Sequence, residues 1–234
     1  MNEQKDSEIK IEFNAEMAEK YSAMIRTTIP GYEDLHHMAL SLLYLRVPEE
    51  GSVLVVGAGD GHELLSLKRA RPTWRLTGVD PSAEMLSVAR KRLSAEGFDA
   101  ELFAGKTGVL PSEEKFDAAT AILVMHFVRG TDGKFAFLRD IAGRLKKGAV
   151  YVHAELCAEK EEHSSAMESA WTRFQISKGQ AEEEVADRNK RRANSVFPLS
   201  AEEAEKLFLE SGFSDAKLFY KVLNFHGWVM TKSA

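Results

Sequence analysis

The chain has 234 residues, 44% hydrophobic, 29% charged and 9% aromatic, which fits one large α/β domain or two small ones. That apolar content excludes a disordered chain, and 16 glycines beside only 6 prolines exclude a collagen-like one. Lys and Arg total 31 against 36 Asp and Glu, a formal net charge of -5, so strong electrostatic binding of nucleic acid by the whole chain is not expected.

The first ten residues are polar and carry no apolar core of a secretory signal, and no run approaches the ~18 apolar residues that span a bilayer. The reading is a cytoplasmic protein with its single cysteine, Cys157, reduced. Residues 9–46 are helical in pattern, broken at Ile29-Pro30-Gly31, and Asp34 opens the second apolar-periodic run. From Gly51 onward, short β-rich runs alternate with helical ones. Strands are predicted over 53–56, 74–79, 100–104, 116–124 and 149–155; helices are predicted over 62–71, 82–93 and 134–145. Ser82 reads as an N-cap. This alternation predicts a doubly wound parallel sheet covered by helices on both faces.

Residues 156–199 interrupt the pattern with a long, charged helical insertion anchored by Trp171 and Phe174. Ser200 and Glu203 form a capping box for a helix over 200–210, which Gly212 stops. Strands over 216–221 and 225–230 flank Asn224, and so short a connection makes them an antiparallel edge hairpin. One domain with a helical N-terminal cover (1–47) and a helical lid (156–199) is expected.

The chemistry concentrates in Gly57-Ala58-Gly59-Asp60-Gly61, which follows an apolar strand and opens a helix. Glycine allows a sharp turn and close backbone approach to a ligand, and the helix start presents free N–H groups. A dinucleotide fingerprint needs glycine at the sixth position, where His62 stands. Asp80, at the end of the second strand, can accept hydrogen bonds from both ribose hydroxyls. Glycine turn and Asp80 together point to an adenosine without a pyrophosphate bridge. With one cysteine and no two histidines at a ligand spacing, no metal site is expected.

These residues resemble the class I S-adenosylmethionine (SAM) dependent methyltransferases. Residues 53–61 are similar to that family's first motif, and Val79-Asp80-Pro81-Ser82-Ala83-Glu84-Met85-Leu86 to its second. Phe116-Asp117, the following apolar strand and Met125-His126-Phe127 resemble the fourth, and Leu145-Lys146-Lys147-Gly148-Ala149 stands where the family has Leu-Lys-Pro-Gly-Gly. The resemblance implies a Rossmann-like seven-stranded sheet with an antiparallel terminal hairpin. It also implies SAM as cofactor, held by Gly57, Ala58, Gly59, Gly61, Asp80, Pro81, Lys106 and Thr107. Two positions depart from it: Val55 stands where the family often has an acid, and Lys106-Thr107 where it often has an aspartate near the adenine amine. Of these two, only the Thr107 hydroxyl can accept a hydrogen bond.

Tyr21-Ser22-Ala23-Met24-Ile25-Arg26 and Ile29-Pro30-Gly31-Tyr32 resemble the opening segment of the carboxy-SAM synthase branch, which serves tRNA wobble-uridine modification. That likeness implies Tyr32 as a wall of the cofactor site. The branch's asparagine on the fourth strand is Ile122 here. Arg188, Arg191 and Arg192 lie where the branch uses an arginine.

At the carboxyl edge of the sheet, His126 is the candidate general base and Glu155 the candidate for orienting an amine or hydroxyl. A core histidine and a loop carboxylate are the competing readings. The activity implied is methyl transfer to a small-molecule or nucleotide-like acceptor, in a monomer or a homodimer. A carboxy-SAM synthase-like enzyme and a non-catalytic SAM-binding module are the alternatives. Residues 13–32 and 156–197 are expected to close over the carboxyl edge as a lid.

Overall fold

A computed structural model describes residues 15–159 and 161–233. The predicted helical pattern at 9–14, and the cover before residue 15, lie outside them. Two helices, α1 (Ala15–Thr28) and α2 (Tyr32–Tyr44), flank the Pro30-Gly31 break. The alternation then runs β1 (Ser52–Val56), α3 (His62–Ala70), β2 (Arg75–Asp80), α4 (Ala83–Ala95), β3 (Glu101–Ala104), β4 (Phe116–Ile122), α5 (Thr131–Arg144) and β5 (Leu145–Leu156). Helices α6 (Glu161–Ser177) and α7 (Glu182–Arg192) form the insertion, and α8 (Ala201–Glu210), β6 (Phe213–Val222) and β7 (Phe225–Lys232) close the chain.

The seven strands are ordered β3-β2-β1-β4-β5-β7-β6. The first five are mutually parallel, while β7 runs antiparallel to both β5 and β6. The order reverses between β1 and β4, and ligands of such sheets bind outside the carboxyl ends of the strands at this switch point.

Strand alternation sorts the core into two layers. Val53, Val55, Ala118, Ile122, Val150 and Val152 pack beneath α2, α3 and α4. Leu54, Ala119, Ala121, Tyr151 and Trp228 pack against α5 and α8. The caps form where the sequence places them. The Ser82 hydroxyl accepts from Met85 N at 3.1 Å, and Ser200 and Glu203 complete their capping box.

Strand β5 begins four residues before its apolar run, at Leu145. Helix α5 hands directly to it, and Leu145 pairs with Phe116 before a bulge restores the register at Ala118 and Val150. Strand β6 likewise begins at Phe213, carried past Asp215 (φ 56) by an irregularity between Ser214 and Lys217. Among the described residues no helix is long and apolar enough to cross a membrane.

Candidate cofactor site

Three glycines turn the chain from β1 into α3, and all have positive φ: Gly57 at 74°, Gly59 at 52° and Gly61 at 80°. Their reasons differ. A Cβ on Gly57 would collide with the Val124 side chain, and one on Gly61 would lie 2.7 Å from the Cβ of Ala89. Those two glycines let the end of β4 and helix α4 close against the turn. A Cβ on Gly59 would meet nothing nearer than Cε of Met85, at 3.5 Å. At Gly59 a Cβ would thus make only ordinary contacts, and it is the left-handed backbone that favours glycine there.

Asp80 is tied to this turn. Its Oδ2 accepts from Gly59 N and its Oδ1 from Ser82 N, both at 2.9 Å. Burial pushes its carboxyl up, and the two backbone N–H groups pull it back. A carboxylate offers about four acceptor positions, so each oxygen keeps a lone pair for a ligand hydroxyl. Ala58 is buried, with its N–H bonded to the Val79 carbonyl at 3.1 Å, and Pro81 is exposed at the start of α4. Lys106 is exposed beyond β3. Thr107 is buried, and its hydroxyl donates to Asp140 of α5 at 3.4 Å.

The cover is fastened to the glycine turn through Asp60, which sequence reasoning passed over. Asp60 caps α3 by accepting from His62 N at 3.2 Å. It also pairs with Arg92 of α4 at 3.0 Å and accepts from the Ser22 hydroxyl of α1. Arg92 in turn donates to Ser22 at 2.9 Å. Tyr32, at the start of α2, is buried with its ring 4.6 Å from His36 and 5.6 Å from His62. His62 bridges Arg26 (3.0 Å) and Glu33 (3.3 Å). Burial, with His62 close by, holds the His36 imidazole down at about 3, so it stays neutral.

The rim candidates both lie inside the protein. His126 is 6% exposed, and its Nδ1 accepts from Leu156 N at 3.3 Å. Burial, then the Lys134 cation, lowers its pKa to about 3. Glu155 is fully buried on the α5/α8 side, opposite His226 of β7, with His153 Nε2 at 3.5 Å. The other His153 nitrogen meets the Tyr151 hydroxyl at 2.8 Å. Lys134, also buried, donates to the Met125 carbonyl at 2.6 Å and anchors the turn that carries His126. Leu123, between β4 and that turn, adopts φ 62, and its N–H bonds the Ala154 carbonyl at 2.6 Å. Backbone held in this region is costly for a branched residue and collects at functional edges.

The insertion docks onto the cover. The Trp171 indole N–H donates to the Thr28 carbonyl at 2.6 Å, and Gln180 donates to the Thr27 and Thr28 hydroxyls. The Tyr220 hydroxyl reaches the Pro30 carbonyl. Arg188 and Arg192 point inward: Arg188 donates to Gln175 and Gln180, while Arg192 pairs with Glu168 and lies 4.5 Å from the Trp171 ring. Arg191 is exposed. Between the end of β5 and the insertion lies a cavity of about 140 Å³, whose polar lining includes Glu159, Ser164, Glu168, Arg192 and Asn224. Among the described residues no three His, Cys, Asp or Glu side chains gather where they could hold a metal ion.

Asp80 keeps acceptor positions beside the glycine turn, as a ribose would need, and α1 reaches the same turn through Ser22 and Asp60. Residues 54–151 match the methyltransferase-domain family. Over 223 residues the chain is 25% identical to carboxy-S-adenosyl-L-methionine synthase of Campylobacter hominis, covering 94% of each. The synthase of Campylobacter lari is 24% identical, over 97% of each chain.

Among solved structures, magnesium protoporphyrin IX methyltransferase from Synechocystis, with bound S-adenosylhomocysteine, superposes with a TM-score of 0.67 at 12% identity. That comparison covers 94% of this chain and 96% of the other. An amino pentose methyltransferase from Micromonospora echinaspora, with SAM bound, superposes at 0.62 with 17% identity, covering 91% and 96%. This strand order and glycine turn thus accompany a methyltransferase-domain match over residues 54–151 and an end-to-end likeness to the carboxy-S-adenosyl-L-methionine synthases.

Proposed function

We propose that this protein is an enzyme that binds SAM at Gly57–Gly61 and Asp80 and transfers its methyl group to a small-molecule acceptor. The observation that carries the reading is the left-handed glycine turn tied through Gly59 N to an aspartate whose oxygens each retain an acceptor position. When bound, SAM supplies a methyl made electrophilic by the adjoining sulfonium. The chain's own task is then to position and to exclude water. Asp80 fixes the ribose, the glycine turn admits the nucleoside, and Tyr32 supplies a wall from the cover. The docked cover and insertion keep water from the carboxyl edge, and proximity and orientation can account for much of the acceleration. His126, neutral and bonded to the end of β5, positions that edge; as a base it would serve an acceptor arriving from the insertion side. A small acceptor suits the 140 Å³ cavity, whose lining carries both Arg192 and Glu168. A cytoplasmic, non-membrane setting and either a monomer or a homodimer accord with this reading.

A second reading, a SAM-modifying synthase, is favoured by the end-to-end likeness to enzymes of that name. Against it, Ile122 replaces the branch's fourth-strand asparagine, and Arg192 is already paired with Glu168. Mass spectrometry of the nucleoside retained by the purified protein separates the two. The methyltransferase reading expects SAM or S-adenosylhomocysteine. A nucleoside heavier than SAM by one carboxylate would establish the synthase reading instead.

A further inference from the structure

His62 opens α3 directly after the glycine turn, where a dinucleotide fingerprint has its last glycine. Both of its ring nitrogens face charged groups of the cover. Nδ1 lies 3.0 Å from Nη2 of Arg26 on α1, and Nε2 lies 3.3 Å from Oε2 of Glu33 on α2. Arginine carries only donors, so Nδ1 accepts, and the single ring proton sits on Nε2 toward the Glu33 carboxylate. The neutral ring in that one tautomer suits both neighbours at once.

The Arg26 guanidinium also pairs with Glu33 and donates to the Ser22 carbonyl one turn back on α1. It lies 5.8 Å from the Tyr32 ring. A second proton on His62 would turn Nδ1 from an acceptor into a donor and set a positive charge against that guanidinium. Glu33 offsets this only in part, because Arg26 already shares it. The other charged or titratable groups facing His62 among the described residues are Asp60, Arg92 and His36. Asp60 accepts from His62 N and is paired with Arg92 at 3.0 Å. His36, its ring 5.2 Å from that of His62, stays neutral. Burial holds the His62 pKa below its ordinary 6.5, with Arg26 and Arg92 adding to it and Glu33 and Asp60 opposing.

We infer that His62 is a proton-sensitive latch between the cover and the glycine turn: neutral, it holds Arg26 and keeps α1 docked; protonated, it expels Arg26 and loosens α1. The latch needs no ligand and stands apart from the cofactor reading. The docked cover binds the second proton more weakly than the released one. Docking is therefore fully favoured above about pH 6.5 and weakens as the pH falls below it. The Ser22–Asp60 and Trp171–Thr28 contacts do not pass through His62, so α1 loosens without detaching.

The test is amide hydrogen exchange on the ligand-free protein at about pH 7.5 and about pH 5.5, with each rate corrected for its intrinsic pH dependence. Protection in α1 should fall roughly three- to tenfold at the lower pH, the upper figure being the limit for an imidazole that titrates near 6.5 once released. Protection in β1 and β4 should hold. His62→Asn places an amide oxygen where Nδ1 stands and does not titrate, so α1 should respond to neither pH. Arg26→Leu removes the group that the proton repels, and α1 should then be weakly protected at both. Thermal melting at the higher pH confirms that the variants fold, and the histidines elsewhere in the chain are the same in all three proteins. An unchanged α1 in the unaltered chain, or the same pH response in the variants, would overturn the latch.

Discussion

Asp80→Ala is expected to weaken S-adenosylhomocysteine by about 2–3 kcal/mol, roughly 30- to 150-fold, because two hydrogen bonds to a charged acceptor are lost. The same change orphans Gly59 N and Ser82 N, which Asp80 now satisfies at 2.9 Å. A fall in stability of about 1–2 kcal/mol should accompany the lost affinity. Asp80→Asn separates the effects: one oxygen survives to accept from one N–H, while the charge and the second acceptor go. It should retain most of the stability and lose most of the affinity. Calorimetry with thermal melting reads both quantities. Full affinity in Asp80→Ala would remove the ribose from this corner of the site.

Trp171→Ala is expected to release the insertion from the cover. The side chain is 4% exposed and packs edge-on against Phe225 at 5.0 Å, and its N–H holds the Thr28 carbonyl. Truncating such a residue costs about 3–5 kcal/mol. The loss should be local, because the sheet does not depend on α6 for its hydrogen bonds. Arg192, which stacks on the ring, would lose its packing surface as well. Hydrogen exchange should therefore quicken in α1 and α6 and stay slow in β1, β4 and β5, with turnover falling as water enters. Uniform loss of protection, sheet included, would show that the insertion is part of one cooperative core and not a lid.

Most of the sheet was legible because its residues obey local rules. The apolar run at 53–56, the glycines after it and Asp80 after the next strand place the switch point within a residue of where it stands. Ser82 and the Ser200–Glu203 pair announce their helices by capping chemistry that depends on a few neighbours. Early strand starts were not legible, since Leu145 joins β5 through pairing with Phe116, a partner distant in the chain.

The site divides in the same way. Gly57, Gly59, Gly61 and Asp80 stand together at the carboxyl edge, but the separate duties of the glycines emerge only from what a Cβ would strike. Asp60 looks in sequence like an ordinary acid at a helix start, favourable to its dipole. Its significance comes from Arg92 and Ser22, residues brought near by the fold. Glu155 illustrates the reverse. Its position at the end of β5 suggested an open rim, yet strand alternation turns it into the α5/α8 core beside His153. Thr107 likewise carries a suitable hydroxyl that the fold directs to Asp140.

The most direct measurement is calorimetric titration of S-adenosylhomocysteine into the unaltered protein and into Gly59→Asn. Asparagine is among the few residues that tolerate the left-handed backbone found at Gly59, so the variant should fold. Its Cβ would meet Met85 Cε at 3.5 Å, an ordinary contact, and the rest of the side chain would add bulk at the turn where the nucleoside is proposed to lie. Clear binding by the unaltered chain is expected, with its loss, by a hundredfold or about 2.7 kcal/mol, in the variant and little change in melting temperature. Equal affinity in the two proteins would contradict it, because the ligand would then lie somewhere other than on the glycine turn.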